Sequence, residues 1–254
     1  MPAGARAQAD VVAREAGVLA GRAAVQEVLR QTGLGASWSH EDGDRLAPGA
    51  AVARIGGPAR ALLAAERTLL NLLSRLSGIA TLTAAYVEAC APVAVLDTRK
   101  TTPGLRNLEK TAVRAGGGHN HRRGLFDQVL VKDNHLALGG VDLDDAVRAA
   151  RAALPDAAVE IEADDLDGVR RAVEAGADWV LLDNMDEPAL RAAVALAAGR
   201  ARLEASGGMT LEGARAAAAC GVDAVSVGAL THSAPALDLG LDLVVAPTPD
   251  AAPA

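Results

Sequence analysis

Charged side chains follow several short apolar runs of the sequence, and their types are those that hold anions or act as acids and bases. Five of them stand out: Arg99, Lys100, Lys132, Glu162 and Asp183. Guanidinium and ammonium groups provide fork-like and point-like cations for carboxylates and phosphates. The two carboxylates could bind ribose hydroxyls, hold Mg²⁺ through water, or stabilise a developing oxocarbenium charge. An ion pair with the basic residues is the structural alternative for these carboxylates.

Basic residues are concentrated in one segment of an otherwise acidic chain. Residues 99–132 contain eight arginines and lysines, among them all three lysines of the chain, and only two acidic residues, whereas the net charge of the whole chain is -7. This distribution argues against a nucleic-acid surface and favours a pocket for a small anion. Arg106, Lys110 and Arg114 recur at fourfold spacing, and we interpret them as the solvated face of a helix.

Glycines after a later apolar run predict a phosphate site. Ser206-Gly207-Gly208 leads into a helix predicted to start near Leu211, and Gly228 ends the next run. Small residues let backbone N–H groups approach a phosphate at a helix N-terminus. Taken alone, a glycine pair is weak evidence, because tight turns also need glycine.

Two histidines, His119 and His121, lie at a spacing that metal sites also use. Since no cysteine or carboxylate lies at ligand spacing nearby in the sequence and the neighbours are cationic, metal ligation is disfavoured. We expect His121 to donate a hydrogen bond to a carboxylate instead. His40 and His232 have no such neighbours and are interpreted as structural.

Six apolar runs, each followed by an amphipathic segment, predict a parallel sheet with a helix after each strand. The predicted strands are residues 93–96, 128–131, 158–161, 179–182, 202–205 and 224–227. Polar or glycine residues follow each run, and strand ends converge at one mouth of a (β/α) barrel, so an irregular barrel is favoured. An open doubly wound sheet is the alternative, but the chain has no early GxGxxG motif to support it.

The first 91 residues predict a small N-terminal α/β sandwich domain with connecting helices. Its strands and helices are expected at residues 10–20, 23–31, 36–40, 50–55, 58–76, and from there to about residue 90. The barrel domain would then occupy residues 92–245. A flexible tail rich in proline and alanine would follow at residues 246–254.

Composition limits the class of protein further. With 254 residues, of which 50% are hydrophobic and 2% aromatic, the chain can build a core of alanine, leucine and valine. Cys90 and Cys220 lack CxxC spacing, and no secretory apolar segment stands at the N-terminus. Charges interrupt the long apolar stretches. We therefore expect a cytoplasmic protein without a membrane or nucleic-acid partner.

Six longer motifs of the chain resemble those of the quinolinate phosphoribosyltransferase family, also called nicotinate-nucleotide pyrophosphorylase (carboxylating). They are ERTLLNLLSRLSGIAT at 66–81, DTRKTTPG at 97–104, GHNHR at 118–122, VKDNH at 131–135, LLDN at 181–184 and EASGG at 204–208. The match covers nearly all of residues 10–243. Several long motifs in the right order are specific, unlike any one of them alone.

The resemblance implies that phosphoribosyl pyrophosphate and quinolinate react, with Mg²⁺, to give nicotinate mononucleotide, pyrophosphate and carbon dioxide. It assigns quinolinate binding to Arg67, Thr98, Arg99, His121, Arg122 and Lys132. It assigns phosphoribosyl pyrophosphate binding to Lys100, Glu162, Asp183, Ser206, Gly207, Gly208, Val227, Gly228 and Ala229. Catalytic roles fall on Lys100, Glu162 and Asp183, and Mg²⁺ would be held mainly through the substrate and water near the two carboxylates.

The resemblance also implies a homodimer or a higher homo-oligomer. In the family, the arginine that matches Arg67 reaches the active site of a partner subunit, and the small N-terminal domain caps the partner's barrel. The family normally begins with a helical segment that carries an acidic Gly-Asp motif, whereas this chain starts almost at its first strand. We therefore expect the N-terminus to be truncated or misassigned, with consequences for the small domain and the dimer.

Three other functions fit parts of the pattern. A paralogue of the same fold could serve molybdenum transport, or act on another pyridine carboxylate. A Schiff-base aldolase would use Lys132, because a lysine at a strand end of a barrel is suited to that chemistry. A non-catalytic nucleotide-binding module is the third possibility. It would need neither the cations that hold two carboxylates nor the pair formed by Glu162 and Asp183.

Overall fold

The computed structural model describes residue 2 and residues 4–244, and these form two compact units. The first unit takes the described residues up to Thr81 and those from Ala234 onward, and the second takes Leu82–Ser233. The N-terminal segment of the first unit thus ends at Thr81, whereas the expected domain boundary was at residue 91. The C-terminal strand, expected in the barrel domain, belongs to the first unit. The predicted tail at residues 246–254 lies outside the described residues.

The chain contains twelve strands and nine helices among its described residues. In chain order they are β1 (Arg6–Ala13), β2 (Gly17–Val18), α1 (Arg22–Thr32), β3 (Gly35–Trp38), β4 (Arg45–Leu46), β5 (Ala51–Pro58), α2 (Ala59–Cys90), β6 (Ala94–Leu96), α3 (Arg106–Ala115), β7 (Val129–Val131), α4 (Asp133–Gly139), α5 (Leu143–Ala153), β8 (Val159–Ala163), α6 (Leu166–Glu174), β9 (Trp179–Asp183), α7 (Glu187–Ala197), β10 (Arg202–Ser206), α8 (Leu211–Ala219), β11 (Ala224–Ser226), α9 (Ala229–His232) and β12 (Leu239–Val244).

An antiparallel sheet with the strand order β12-β1-β5-β3 forms the first unit together with its helices. Alternate residues of β1 are buried, namely Ala9, Val11 and Ala13, as expected for a strand with one face on the core. The core is made of alanine, valine, leucine and isoleucine side chains. Strand β12 was not predicted, because it pairs with β1 from the opposite end of the chain and local sequence carries little sign of such pairing.

Helix α2 is one continuous element of 32 residues, and the prediction of two helices was wrong. Gly78 lies inside it, where glycine usually weakens a helix. A Cβ atom at Gly78 would lie 2.9 Å from the carbonyl carbon of Pro235. The glycine therefore permits close approach of another backbone segment within the first unit, and does not mark a helix end.

The second unit contains six parallel strands in the order β6-β11-β10-β9-β8-β7. All six predicted strands are confirmed to within two residues at each end. Helices follow the strands, and side chains such as Val169, Ala172 and Val173 of α6 are buried. This arrangement confirms the irregular (β/α) barrel with a small N-terminal α/β domain. It brings the carboxyl ends of the six strands to one side, where Asp183 of β9 pairs in register with Ser206 of β10.

No helix among the described residues is both long enough and apolar enough to cross a membrane.

Candidate active site

A cavity of about 900 Å³ opens at the carboxyl ends of the six parallel strands. It is lined by polar and charged side chains from every one of these strand ends. Thirteen predicted site residues lie on its wall: Thr98, Arg99, Lys100, His121, Arg122, Lys132, Glu162, Asp183, Ser206, Gly207, Gly208, Gly228 and Ala229. Two predicted residues do not. Val227 is buried, and its N–H donates to the carbonyl oxygen of Leu96; Arg67 is an exposed residue of α2 in the first unit.

Opposite charges meet inside the cavity at Lys132 and Glu162. The Lys132 ammonium forms an ion pair with the Glu162 carboxylate, and the two side chains are 39% and 18% exposed. The ion pair that was the structural alternative for Glu162 is therefore present in the structure, on the wall of the cavity. A Schiff-base lysine is usually surrounded by apolar groups or by other cations, so the contact with Glu162 does not favour an aldolase.

Asp183 is oriented by its neighbour in the sequence. The Asn184 amide Nδ2 donates to Asp183 Oδ2 at 2.8 Å, and the Asn184 N–H donates to the carbonyl oxygen of Ser206. Asn184 has a φ of 55°, in the left-handed region that asparagine tolerates better than most residues. Asn184 also lines the cavity. The LLDN motif thus supplies one carboxylate and the side chain that fixes it.

A buried ion pair between Asp97 and Lys110 supports the segment that carries the cations, residues 99–132. Asp97, at the end of β6, accepts hydrogen bonds from the Lys110 ammonium, from Asn120 Nδ2 at 2.6 Å and from the His121 N–H at 2.9 Å. Lys110 also donates to the carbonyl oxygen of His121. Burial raises the pKa of Asp97 and lowers that of Lys110, while their pairing opposes both shifts.

The interpretation of the basic helix as a solvated face was wrong for two of its three residues. Lys110 is 1% exposed, and its ammonium donates to Asp97 and to the carbonyl oxygen of His121. Arg106 donates to the carbonyl oxygens of Arg99 and Arg123, and so joins the two loops that carry the cations. Only Arg114 is exposed as expected. Fourfold spacing predicted the helix face correctly, but the loops before and after α3 cover that face.

His121 contacts two buried glutamates that sequence reasoning missed. Its Nε2 lies 3.0 Å from Glu160 Oε2 and 3.3 Å from Glu204 Oε2, and both glutamates are essentially inaccessible to solvent. The ring therefore faces protein carboxylates in the structure. Both glutamates interrupt apolar strands, and Glu160 shares a strand face with Glu162 by the two-residue alternation. That pattern was the signal available in the sequence.

The protonation of His121 follows from these contacts. Burial lowers the pKa of its ring, but the hydrogen bonds to Glu160 and Glu204 outweigh burial and raise it. Nδ1 accepts the N–H of Arg122 at 2.7 Å, which opposes a second proton there. The Nδ1 contact requires the neutral ring, whose single proton then lies on Nε2 and is directed at the carboxylates.

The same three side chains offer three possible metal-ligand atoms within 4.8 Å of one another. No carboxylate lies at ligand spacing near His121 in the sequence, but strands β8 and β10 bring two to its ring. The Nε2 proton already serves both carboxylates, and the cationic residue Arg122 follows His121 in the sequence and lines the cavity. These contacts favour a hydrogen-bonded cluster over a cation site.

The glycine loop after β10 has the form expected of an anion site. Gly207 and Gly208 have φ values of 104° and 50°, and Thr210 then caps α8 by accepting the Gly213 N–H. The hydroxyl of Tyr86 donates to the carbonyl oxygen of Met209 at 3.1 Å and fixes the loop from the side. The predicted start of the helix near Leu211 is confirmed.

Tyr86 and His232 are two of the wall residues that were not among the predicted site residues. Tyr86 lies on α2 and is the only tyrosine of the chain. His232 was interpreted as structural, but it lines the cavity, with its Nδ1 2.6 Å from Ser233 Oγ. His232 follows Gly228 by four residues on a short helix, and this spacing would have placed it beside the glycine.

Two family models match the chain and together cover almost all of it. The C-terminal domain of quinolinate phosphoribosyl transferase matches residues 79–242, and the N-terminal domain of the same family matches residues 1–77. The chain belongs to the quinolinate phosphoribosyltransferase family.

Individual relatives of the family match most of the length of this chain. The nicotinate-nucleotide pyrophosphorylase [carboxylating] of Mycobacterium leprae is 45% identical, over 96% of this chain and 88% of that protein. A probable nicotinate-nucleotide pyrophosphorylase [carboxylating] of Bacillus subtilis is 43% identical, over 94% of this chain and 84% of that protein. The crystal structure of NadC from Streptococcus pyogenes superposes with a TM-score of 0.90 at 42% identity, over 96% of this chain and 88% of that chain.

Proposed function

We propose that this chain transfers the phosphoribosyl group of phosphoribosyl pyrophosphate to quinolinate, with loss of carbon dioxide, in the biosynthesis of NAD. The observation that carries this proposal is the composition of one cavity. Cations at two strand ends face carboxylates at two others, and a glycine loop precedes a helix N-terminus on the same wall. A dicarboxylate and a polyphosphate need such a wall, whereas a neutral substrate would leave its charges unpaired.

Quinolinate is assigned to the cationic side of the cavity. Arg99, Arg122 and Lys132 line that side with Thr98, and guanidinium groups suit the planar carboxylates of a pyridine diacid. The pairing of Lys132 with Glu162 shows that this ammonium already reaches an anionic oxygen in the cavity. An arriving carboxylate would exchange one such partner for another.

Phosphoribosyl pyrophosphate is assigned to Lys100, the carboxylates and the glycine loop. Its phosphates would be bound by Lys100 and by backbone N–H groups around Gly207, Gly208 and Gly228. The pyridine nitrogen attacks the anomeric carbon of the ribose as the bond to pyrophosphate breaks, and the pyrophosphate keeps the bonding electrons. Glu162 or Asp183 would stabilise the positive charge that develops on the sugar.

Decarboxylation follows from the first step. Once the ring nitrogen carries the ribose it is positive, and it stabilises the electron pair left on the adjacent ring carbon when carbon dioxide departs. That carbon then takes a proton. The cations of the wall hold the second carboxylate, which stays on the product as nicotinate mononucleotide.

Magnesium fits the oxygen-rich side of this cavity. Glu162 and Asp183 both face it, and Mg²⁺ prefers oxygen ligands while retaining water. We assign the ion to substrate oxygens and water near these carboxylates. When bound it would neutralise charge on the departing pyrophosphate.

Arg67 belongs to the proposed assembly, a homodimer or a higher homo-oligomer in the cytoplasm. It is an exposed residue of α2 in the first unit. Leu63, one turn before it on the same helix, is 47% exposed. The exposed position of Arg67 is compatible with the placement of the matching arginine in the family, where it reaches the active site of a partner subunit. Sedimentation velocity measures this state directly, and a monomer would contradict it.

We expect the purified protein, given quinolinate, phosphoribosyl pyrophosphate and Mg²⁺, to release pyrophosphate and carbon dioxide in equal amounts. The equality follows because one transfer produces one decarboxylation. Coupled pyrophosphate detection and capture of labelled carbon dioxide measure the two products. Pyrophosphate without carbon dioxide would instead indicate transfer to a different acceptor.

We expect Gly207→Ala to weaken the binding of phosphoribosyl pyrophosphate by about tenfold or more, since overpacking costs about 1–3 kcal/mol. Its new Cβ would lie 2.8 Å from the backbone nitrogen of Asn184, at a φ of 104°. Gly176→Ala is the matched control, because Gly176 has a φ of 80° with open space around its Cβ position. Titration calorimetry should show near-normal affinity for the control, and equal losses in both variants would attribute the effect to backbone strain alone.

A further inference from the structure

Every polar atom of His121 is used inside the protein. Its N–H donates to Asp97, its carbonyl oxygen accepts from Lys110, Nδ1 accepts the Arg122 N–H, and Nε2 faces Glu160 and Glu204. A residue so occupied has no free hydrogen-bonding atom for a ligand. The resemblance makes His121 a direct contact of the substrate, whereas the structure places it between a buried acidic pair and the backbone of Arg122.

The backbone of Arg122 is held in part by the ring of His121. The segment between α3 and β7 has neither helix nor strand around Arg122, so no regular backbone ladder holds it. The next two N–H groups, of Arg123 and Gly124, donate to the side chain of Asp127. The Arg122 N–H donates to His121 Nδ1. The imidazole ring therefore acts together with Lys110, which donates to the carbonyl oxygen of the same peptide unit, to fix the backbone of Arg122 at the cavity wall.

Burying Glu160 and Glu204 destabilises the fold unless their carboxyl groups make compensating contacts. Glu160 and Glu204 are 0% and 1% exposed, and the Oε1 atom of each has no hydrogen-bond partner. Apolar side chains would fill the same volume at a smaller desolvation cost. What the pair provides, and apolar groups could not, is a fixed acceptor for the Nε2 proton. Gln128 Nε2 donates to Glu160 Oε2 at 2.8 Å and holds that acceptor in place.

We propose that Glu160 and Glu204 are positioning residues for the dicarboxylate substrate, which act through His121 on Arg122. The assignment of that substrate rests on the proposed function. Since both carboxylates accept from the same N–H, either one suffices to hold the ring. Replacing both carboxyl groups by amides leaves only neutral acceptors, which bind a donor more weakly than a carboxylate does.

The test compares Glu160→Gln, Glu204→Gln and the double variant, with Glu174→Gln as a control at an exposed position on α6. Glutamine keeps the shape of the side chain and removes its charge. We expect quinolinate affinity, measured by calorimetry, to fall less than about threefold in each single variant and by about tenfold or more in the double variant. Affinity for phosphoribosyl pyrophosphate should change less than about twofold in all of them.

A thermodynamic cycle separates this role from a general loss of structure. In an Arg122→Ala background, the double glutamine change should lower quinolinate affinity little further, because the residue through which it acts is gone. Additive losses would overturn the proposal. If the double variant does not fold, His121→Phe removes both ring nitrogens at similar volume and is expected to give the same pattern.

A measurement without substrate keeps the proposal independent of the proposed function. Amide hydrogen exchange by NMR should be at least about tenfold faster at Arg122 in the double variant, while Arg123 and Gly124, held by Asp127, change less. Failure of the wild-type chain to bind quinolinate would refute the proposed function alone. Unchanged exchange at Arg122 in a folded double variant would overturn the positioning role.

Discussion

Lys110→Met is expected to lower the free energy of unfolding by about 3–5 kcal/mol and to remove most activity, because it leaves one member of a buried ion pair uncompensated. The Lys110 and Asp97 side chains are 2% and 0% exposed. Asp97 also accepts hydrogen bonds from the N–H of His121 and the side-chain amide of Asn120. The substitution should therefore also disturb the loop that carries Arg122. Denaturant unfolding followed by circular dichroism measures the stability.

Two further variants make this prediction specific. Arg114→Met, one turn further along α3, changes an exposed arginine and should stay within about 0.5 kcal/mol of the wild type. Combining Lys110→Met with Asp97→Asn should recover part of the lost stability, because no unpaired charge then remains buried. A loss below about 1 kcal/mol for Lys110→Met would show that the pair is not the support of this loop.

The strand ends were predictable from sequence, because apolar runs bounded by polar residues report local structure. Arg99, Lys132, Glu162 and Asp183 follow four such runs, and parallel strands bring them together whatever the loops do. This part of the site needs only the order of the elements. The placement of these four residues on one cavity wall follows from it, whereas His121 and Arg122 lie between α3 and β7 and were assigned through the family resemblance.

The supports of the site were not predictable in the same way. Lys110 has the spacing of a solvated helix residue, and only the folding of distant loops over α3 buries it. His121 looked free of carboxylates because Glu160 and Glu204 lie about 40 and 80 residues further along the chain, on other strands. β12 was missed for the same reason, since its partner β1 stands at the opposite end of the chain. Contacts between distant segments leave no local pattern.

Nicotinate is expected to be a far poorer substrate than quinolinate, with a kcat/KM lower by a factor on the order of 10⁴. Nicotinate lacks one of the two carboxylates, so a cation of the cavity wall, such as Arg99 or Arg122, would be left without the anionic group that quinolinate supplies. A site built to pair a substrate group discriminates strongly against the analogue that lacks it. A pocket that merely fits the pyridine ring would discriminate only about 10- to 200-fold.

Competition between the two acids tests the central claim most directly. Quinolinate with a ¹³C-labelled ring and unlabelled nicotinate would be mixed with phosphoribosyl pyrophosphate and Mg²⁺, and mass spectrometry would read from which acid the mononucleotide came. The ratio of products, corrected for concentration, is the ratio of the two kcat/KM values. The account predicts mononucleotide that is almost entirely labelled; mostly unlabelled product, or equal specificity for the two acids, would contradict it.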